Sequence, residues 1–294
     1  MNYYDEIKNI LIDNEVYKRV KDCSKNKHEL ESYYKIGELL IEAGNKYGEG
    51  IIKNYSKRLM NEIDKKYSVR YLFDIRRLYL FGKVHPLDAQ LTISHYRLLF
   101  PLKNDAEINY YINHTIKSNL SKRQLENMIK LKEYERLDES TRNKLISNEI
   151  LDISDNIKHP IIIKNKYKTD EISEKMLKGL ILEDMDSFLH ELGEGFTYVG
   201  NEYKIKLGNS YNYIDILLFN YKYNCFVVVE LKVTELKKEH IGQIELYMNY
   251  IDKNVKNIYQ DKTIGIIIVR KDNQFIMEYC SDERIYRTTY ELSY

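Results

Sequence analysis

Tyr213-Ile-Asp-Ile-Leu-Leu-Phe219 and Phe226-Val-Val-Val-Glu-Leu-Lys232 are two apolar runs joined by a short polar turn, and each carries a carboxylate among aliphatic neighbours. Side chains alternate along a strand. Asp215 therefore shares a face with Tyr213, Leu217 and Phe219, while Glu230 and Lys232 share one with Phe226 and Val228. If the hairpin turn is centred between Lys222 and Tyr223, Asp215 lies directly opposite Glu230. Facing residues of an antiparallel pair have Cβ atoms about 4.5–5.5 Å apart, near enough for two carboxylates to share one cation. Two like charges set into apolar strands are destabilising without such a cation. Lys232 offers one. Mg²⁺, which favours a few carboxylates, a backbone carbonyl and waters, is another. Two plainer readings stay open: a carboxylate–lysine network closing the end of a sheet, or a register slip that turns one acid to solvent.

Outward from this hairpin, the spacing predicts a helix over Ile172–Leu192, with Met176, Leu177, Leu180, Ile181, Met185, Phe188, Leu189 and Leu192 on one stripe. Gly193 and Gly195 close it. Strands are expected at Phe196–Leu207, Tyr211–Asn220 and Cys225–Lys232, then a helix at Lys238–Asp252. Ile264–Val269 is apolar on both faces, as a central strand covered on both sides requires. A strand at Gln274–Tyr279 and an edge segment near Tyr286–Leu292 complete an α/β sandwich around a mixed sheet. On the helix after the hairpin, Gln243 and Tyr247 lie one turn apart. There they suit a phosphate or the placement of Lys232, or else plain surface and core roles.

The front of the chain reads as helices. Apolar stripes run through residues 30–47, 49–63, Tyr71–Phe81, Thr92–Leu99, Asn104–Ser118 and Lys122–Glu135, the last with Ser121 as its N-cap. His95, with no acid at catalytic spacing, suits packing or capping. Residues 137–170 are less periodic and are expected to connect two domains, with a short helix around Asn143–Leu151. The expected organisation is an α+β chain: a helical, helix-turn-helix-like domain at 1–136, a linker, and an α/β domain at 171–294. The net charge of +1 hides an imbalance. From Glu171 onward there are 15 Lys and Arg against 20 Asp and Glu, which leaves 31 against 25 in residues 1–170. A basic front suits a nucleic-acid grip beside a carboxylate-bearing site, although ordinary solvated helix faces give the same asymmetry. With 43% hydrophobic and 31% charged residues the chain is neither a disordered tail nor a membrane protein. Cys23, Cys225 and Cys280 fall in no metal-ligand spacing, which fits a reducing, cytoplasmic setting. No phosphate-cradling glycine loop is present.

Asp215, Glu230-Leu-Lys232 and Gln243-x-x-x-Tyr247 resemble the PD-(D/E)XK nuclease superfamily. The phrases FLHELGEGFTYVG, YIDILLFNYKYNCFVVVELK and GQIELYMNYID, with YYKIGELLI, LTISHYRLLF and LSKRQLENMI nearer the front, are similar to its bacterial YhcG-like branch. The resemblance runs from about Tyr33 to Leu292. It implies a helical, helix-turn-helix-like front domain joined to a restriction-endonuclease-like domain, both acting on DNA. It further implies Mg²⁺, with Mn²⁺ as a substitute, held by Asp215, Glu230 and the carbonyl of Leu231, with Lys232 positioning or deprotonating the nucleophile and Gln243 steadying Lys232 or the phosphate. The chain departs from relatives at Leu177-Lys178, where they carry Leu-Glu, and at Leu120, where they carry Trp. The role of the missing acid then falls to Glu174, one turn before Lys178, or to Glu191, or is absent, with Glu174 preferred over Glu191. On a continuous helix Glu191 would point about 220° away from Lys178. The resulting expectation is a metal-dependent DNA hydrolase without a membrane anchor. A homo-oligomer is left open, as are a non-catalytic DNA-binding or assembly protein that keeps the fold and a small-molecule phosphoesterase.

Overall fold

The computed structural model describes residues 2–18, 25–147, 149–167, 169–278, 280 and 282–294. Cys23, and Tyr279 at the end of one expected strand, lie outside them. The chain divides into two compact units, Met1–Tyr134 and Glu135–Tyr294.

The first unit is helical: α1 (Tyr3–Tyr17), α2 (Lys25–Tyr47), α3 (Gly50–Glu62), α4 (Val69–Gly82), α5 (Ile93–Leu99), α6 (Asp105–Lys117) and α7 (Lys122–Lys130). The stripe expected over residues 30–47 is buried at Leu30, Tyr33 and Leu40, and α2 packs on α4, whose Leu72, Ile75 and Leu78 are buried as well. Gly37 is where the two helices come nearest, since a Cβ there would stand 2.5 Å from Cβ of Tyr79 and 2.7 Å from the carbonyl oxygen of Ile75. His95 is a capping residue, its Nδ1 accepting the Thr92 N–H at 3.1 Å. Ser121 caps α7 by accepting the Gln124 N–H at 3.4 Å, and Gln124 Oε1 accepts the Ser121 N–H in return at 2.9 Å. Helix α7 ends at Lys130, shorter than its apolar stripe suggests.

The second unit adds α8 (Glu139–Ser147), β1 (Ile161–Lys164), α9 (Glu174–Glu183), α10 (Met185–Leu192), β2 (Phe196–Leu207), β3 (Ser210–Asn220), β4 (Cys225–Glu235), α11 (Lys238–Asn254), β5 (Asp261–Lys271), α12 (Gln274–Glu278) and β6 (Ile285–Ser293). The strands form one mixed sheet in the order β1-β6-β5-β4-β3-β2. The hairpins β2–β3 and β3–β4 are antiparallel, and β4, β5, β6 and β1 run parallel. Helices α9 and α10 cover one face, burying Leu177, Leu180, Ile181 and Phe188 against Ile216, Leu218, Val227, Val229 and Leu231. Helix α11 covers the other, where Ile244, Tyr247, Met248 and Ile251 meet Leu217, Val228 and Ile267. This is the α/β sandwich read from the sequence.

Four expectations need correction. Residues 137–170 are more than a connection: β1 pairs with β6, and Ile153, Ile157, Ile161 and Ile163 are buried in the core under α9 and α10. The helix Ile172–Leu192 is two, because Asp184 leaves helical geometry (φ −131°, ψ 57°) and accepts the Ser187 N–H to cap α10. Gln274–Glu278 is a short helix and not a strand, since β5 and β6 are already neighbours and leave no place in the ladder. The expected edge segment is β6, an interior strand between β5 and β1.

Helix α11 approaches the sheet closely at Gly265 of β5, where a Cβ would lie 2.7 Å from both Ile244 Cδ1 and Met248 Sδ. Gly265→Ala is therefore expected to lower stability by about 1–3 kcal/mol through overpacking, read as a lower urea midpoint at unchanged slope.

Candidate active site

The β3–β4 hairpin is locked by its turn. Asn220 is fully buried at the end of β3, and its Oδ1 accepts the N–H groups of Lys222 (3.0 Å) and Tyr223 (3.2 Å). Asn224 takes the left-handed conformation (φ 48°) that closes the loop. The resulting register pairs Asn220 with Cys225, Phe219 with Phe226 and so on to Ile216 with Val229. Asp215 and Glu230 occupy the next step of that register. There the backbone ladder stops and a side chain takes over: Asp215 Oδ2 accepts the Leu231 N–H at 3.1 Å.

Strand β3 departs from strict alternation at this point. Ile214 packs in the core under α11, whereas Ile216 and Leu218 pack in the core under α9 and α10. The irregularity faces Glu202 of β2, which lies between the pairs Asn201–Ile216 and Tyr203–Ile214 and adopts φ 46°. The hairpin arm bends where the acid sits.

Four carboxylates and two ammoniums gather here. Lys178 of α9 bridges Asp215 Oδ1 (3.2 Å) and Glu202 Oε1 (2.9 Å) with a side chain 16% exposed. Lys232 lies 3.3 Å from Glu230 Oε2 and 3.9 Å from Glu174 Oε2. Glu230 is the buried member, its side chain 2% exposed. Its Oε1 is shut off from solvent and has no hydrogen-bond partner. Burial first, and the charge of Asp215 second, push its carboxyl up to about 7 against the pull of Lys232. Burial depresses the Lys178 ammonium, but the bonds to Glu202 and Asp215 outweigh it and raise its pKa. Burial and then the charges of Lys232 and Lys237 hold His240, near the start of α11, below the usual imidazole range.

The structure thus brings together Asp215, Glu230, Leu231 and Lys232. Glu174 sits at the rim, 46% exposed and in reach of Lys232 alone among these residues. Asp215, Glu230 and Glu174 do not converge as three ligands of one ion. Gln243 Nε2 donates to Tyr247 Oη at 3.1 Å, the one-turn pair expected on α11, and makes no described bond to Lys232. Glu191 is a structural acid of the second unit: it is buried with Arg136 and accepts the Ile162 N–H at 2.8 Å. The break at Asp184 means that Glu191 and Lys178 share no continuous helix, and burial against Arg136 keeps Glu191 away from the cluster. Sequence reasoning missed Lys178 and Glu202 as members of the cluster. The signal within reach was Lys178 itself, a cation on the face of Glu174 where α9 meets the sheet.

An ion that prefers oxygen ligands suits this donor set. Glu230 offers a buried, unpartnered oxygen, and each carboxylate oxygen of Asp215 keeps a lone pair beyond the bond described. The cluster also carries more negative than positive charge. A divalent cation would relieve the repulsion that raises Glu230.

Residues 154–293 match the family model described as the YhcG PDDEXK nuclease domain, and residues 11–136 match the DUF1016 N-terminal domain. "Putative nuclease YhcG" of Escherichia coli (strain K12) is 25% identical over 283 residues, covering 81% of this chain and 75% of the relative. Among solved structures, a repair endonuclease from Pyrococcus abyssi is similar over 42% of this chain and 48% of its own, at 19% identity and a TM-score of 0.30. EndoMS in complex with double-stranded DNA shares the same coverage and identity at a TM-score of 0.32. The chain spans about half the length of those two structures.

Glu230 generates a pH test of the site. Its pKa rises from 4.5 in the unfolded chain to about 7 in the fold, so its stabilising contribution is complete below about 4.5 and is lost as pH rises through 7. In chelator at alkaline pH, Glu230→Gln should be more stable than wild type by up to about 3 kcal/mol, and the two should converge in acid. Parallel stability curves across this range would show that Glu230 is not strained. Glu191→Ala, by contrast, should cost about 3–5 kcal/mol by stranding the buried Arg136 charge, measured by denaturant unfolding.

Proposed function

Because the chain belongs to the YhcG-like family of PD-(D/E)XK nucleases, we propose that it hydrolyses phosphodiester bonds of DNA at the Asp215–Glu230–Lys232 cluster, with a divalent metal ion and with the helical unit gripping the DNA. The observation that carries this reading is the meeting of two carboxylates at the end of the β3–β4 ladder, one of them buried with an unpartnered oxygen and a lysine on the other. Asp215, Glu230 and the carbonyl of Leu231 would hold the ion, and Mg²⁺ suits these oxygen donors, with Mn²⁺ as a substitute. When bound, the ion neutralises charge on the scissile phosphate and helps generate the nucleophile.

The chain's own residues do the rest. The β3–β4 register and the Asp215–Leu231 bond set the two carboxylates before substrate arrives, so little reorganisation is needed. Lys232, tied to Glu230, offers an ammonium donor beside the carboxylates, where it would orient the attacking water or a non-bridging phosphate oxygen. Lys178 lowers the negative charge that Asp215 and Glu202 present to an incoming polyanion. Glu174 is placed to bind or steer water near Lys232. Gln243, held by Tyr247 on α11, would contact a phosphate.

A second reading, a non-catalytic DNA-binding protein that keeps the fold, is favoured by one observation: Lys178 occupies an oxygen of Asp215. Incubation with plasmid and linear DNA in Mg²⁺ or Mn²⁺, and then in chelator, separates the two. Under the first reading cleavage appears only with metal, and Asp215→Asn, Glu230→Gln and Lys232→Met each lower it by about 100-fold or more while DNA binding persists. Glu174→Gln should reduce cleavage more mildly. Wild-type cleavage by Asp215→Asn would move the chemistry elsewhere. Independently of turnover, Mg²⁺ should raise the thermal midpoint of the wild type and leave that of Glu230→Gln unmoved.

A further inference from the structure

Within the helical unit, one face of α4 carries Arg70, Phe73, Asp74 and Arg77 at helical steps of three, four and seven residues, a single stripe along the helix. Its opposite face is spent on the core through Leu72, Ile75 and Leu78. Helix α5 brings Arg97 across the stripe, 2.9 Å from Asp74, with its guanidinium 4.7 Å from the centre of the Tyr71 ring. Phe100 and Pro101 at the end of α5 complete the lining. Two adjoining hollows of about 690 and 510 Å³ share Arg77, Phe100 and Pro101.

The charges decide what such a cleft takes. Asp74 is its one acid and is engaged by Arg97. Arg70 and Arg77 are exposed and make no ion pair with any described residue, so the cleft keeps two uncompensated guanidiniums. The neighbouring Arg76 points off this stripe to Glu49. Arginines with no intramolecular work, interleaved with aromatic rings, match the chemistry of a polyanion that also offers flat apolar faces. Seven helical residues separate Arg70 from Arg77 by about 10.5 Å along the axis, close to the axial rise of about three phosphates on one DNA strand.

We propose that this α4–α5 cleft is a contact surface for the DNA backbone, with Arg70 and Arg77 each pairing with a phosphate and Arg97, held by Asp74, supporting the cleft between them. The proposal rests on the reading that the helical unit grips DNA and names the surface that does so. None of these residues belongs to the Asp215–Glu230–Lys232 cluster.

The test uses the full chain and a short labelled duplex DNA, with chelator present so that no cleavage occurs, and follows anisotropy over rising salt. Replacing both residues, Arg70→Gln with Arg77→Gln, should weaken binding about tenfold at low salt and reduce the salt-dependence slope by about two. Exposed side chains without partners should leave the thermal midpoint unchanged. A second double variant, Arg70→Lys with Arg77→Lys, should keep the slope, because charge and not fork geometry sets counterion release. Wild-type affinity and slope in the double Gln variant would overturn the cleft while leaving the nuclease reading intact, provided metal-dependent cleavage persists. Absence of DNA binding by the wild type itself would overturn the grip and the cleft together.

Discussion

The register of one hairpin governs where the carboxylates of the second unit gather. Asn220 fastens the β3–β4 turn by accepting two backbone N–H groups with one oxygen, and its amide donates to the Glu194 carbonyl at 3.0 Å. A strand side chain changes face with every residue, so a slip of one position would carry Glu230 away from Asp215 and send each apolar side chain of the slipped strand to the core it does not fit. The aliphatic residues on both strands, buried in two separate cores, penalise any such slip. Hydrophobic burial over the length of the hairpin thereby maintains an electrostatic arrangement at its end that is unfavourable by itself.

That arrangement is local and costly. Glu230 sits in the sheet with one oxygen unpaired, and its raised pKa expresses the cost of charging a desolvated carboxyl beside another acid. The lysines offset this unequally. Lys232 touches Glu230 but is also drawn toward Glu174, and Lys178 is occupied by Asp215 and Glu202. Sites in which charge is concentrated at the expense of stability are those poised for ligands of opposite sign. In this chain the cost falls on one side chain at the end of a well-packed sheet.

The two units divide acidic and basic work. The second unit concentrates carboxylates at the end of a sheet, while the first leaves arginines on a helix face whose other side is fully used in packing. In α4 the apolar stripe meets α2 at Gly37 and the arginine stripe is left to solvent. One amphipathic helix thus spends one face on packing and leaves basic side chains on the other.

What the sequence by itself determined was what depends on neighbours along the chain. The bounds of β2, the β3–β4 register from Asn220–Cys225 to Ile216–Val229, the contact of Lys232 with Glu230 and the Gln243–Tyr247 pair all follow from residue pattern, a four-residue turn and helical spacing. The family resemblance, carried by the same stretches, agreed with the matches over 154–293 and 11–136. Apolar periodicity failed where it is ambiguous over short runs: it did not see the capping break at Asp184, the helix at Gln274–Glu278, or β1 inside a stretch of mixed polarity. Only the tertiary structure decided that Lys178, and no carboxylate of α9, meets Asp215, and that Glu202 faces it across a bend. Those partners lie 37 and 24 residues from Lys178 along the chain. Their meeting is set by how α9 seats its apolar stripe on the sheet, a packing outcome that no local pattern encodes.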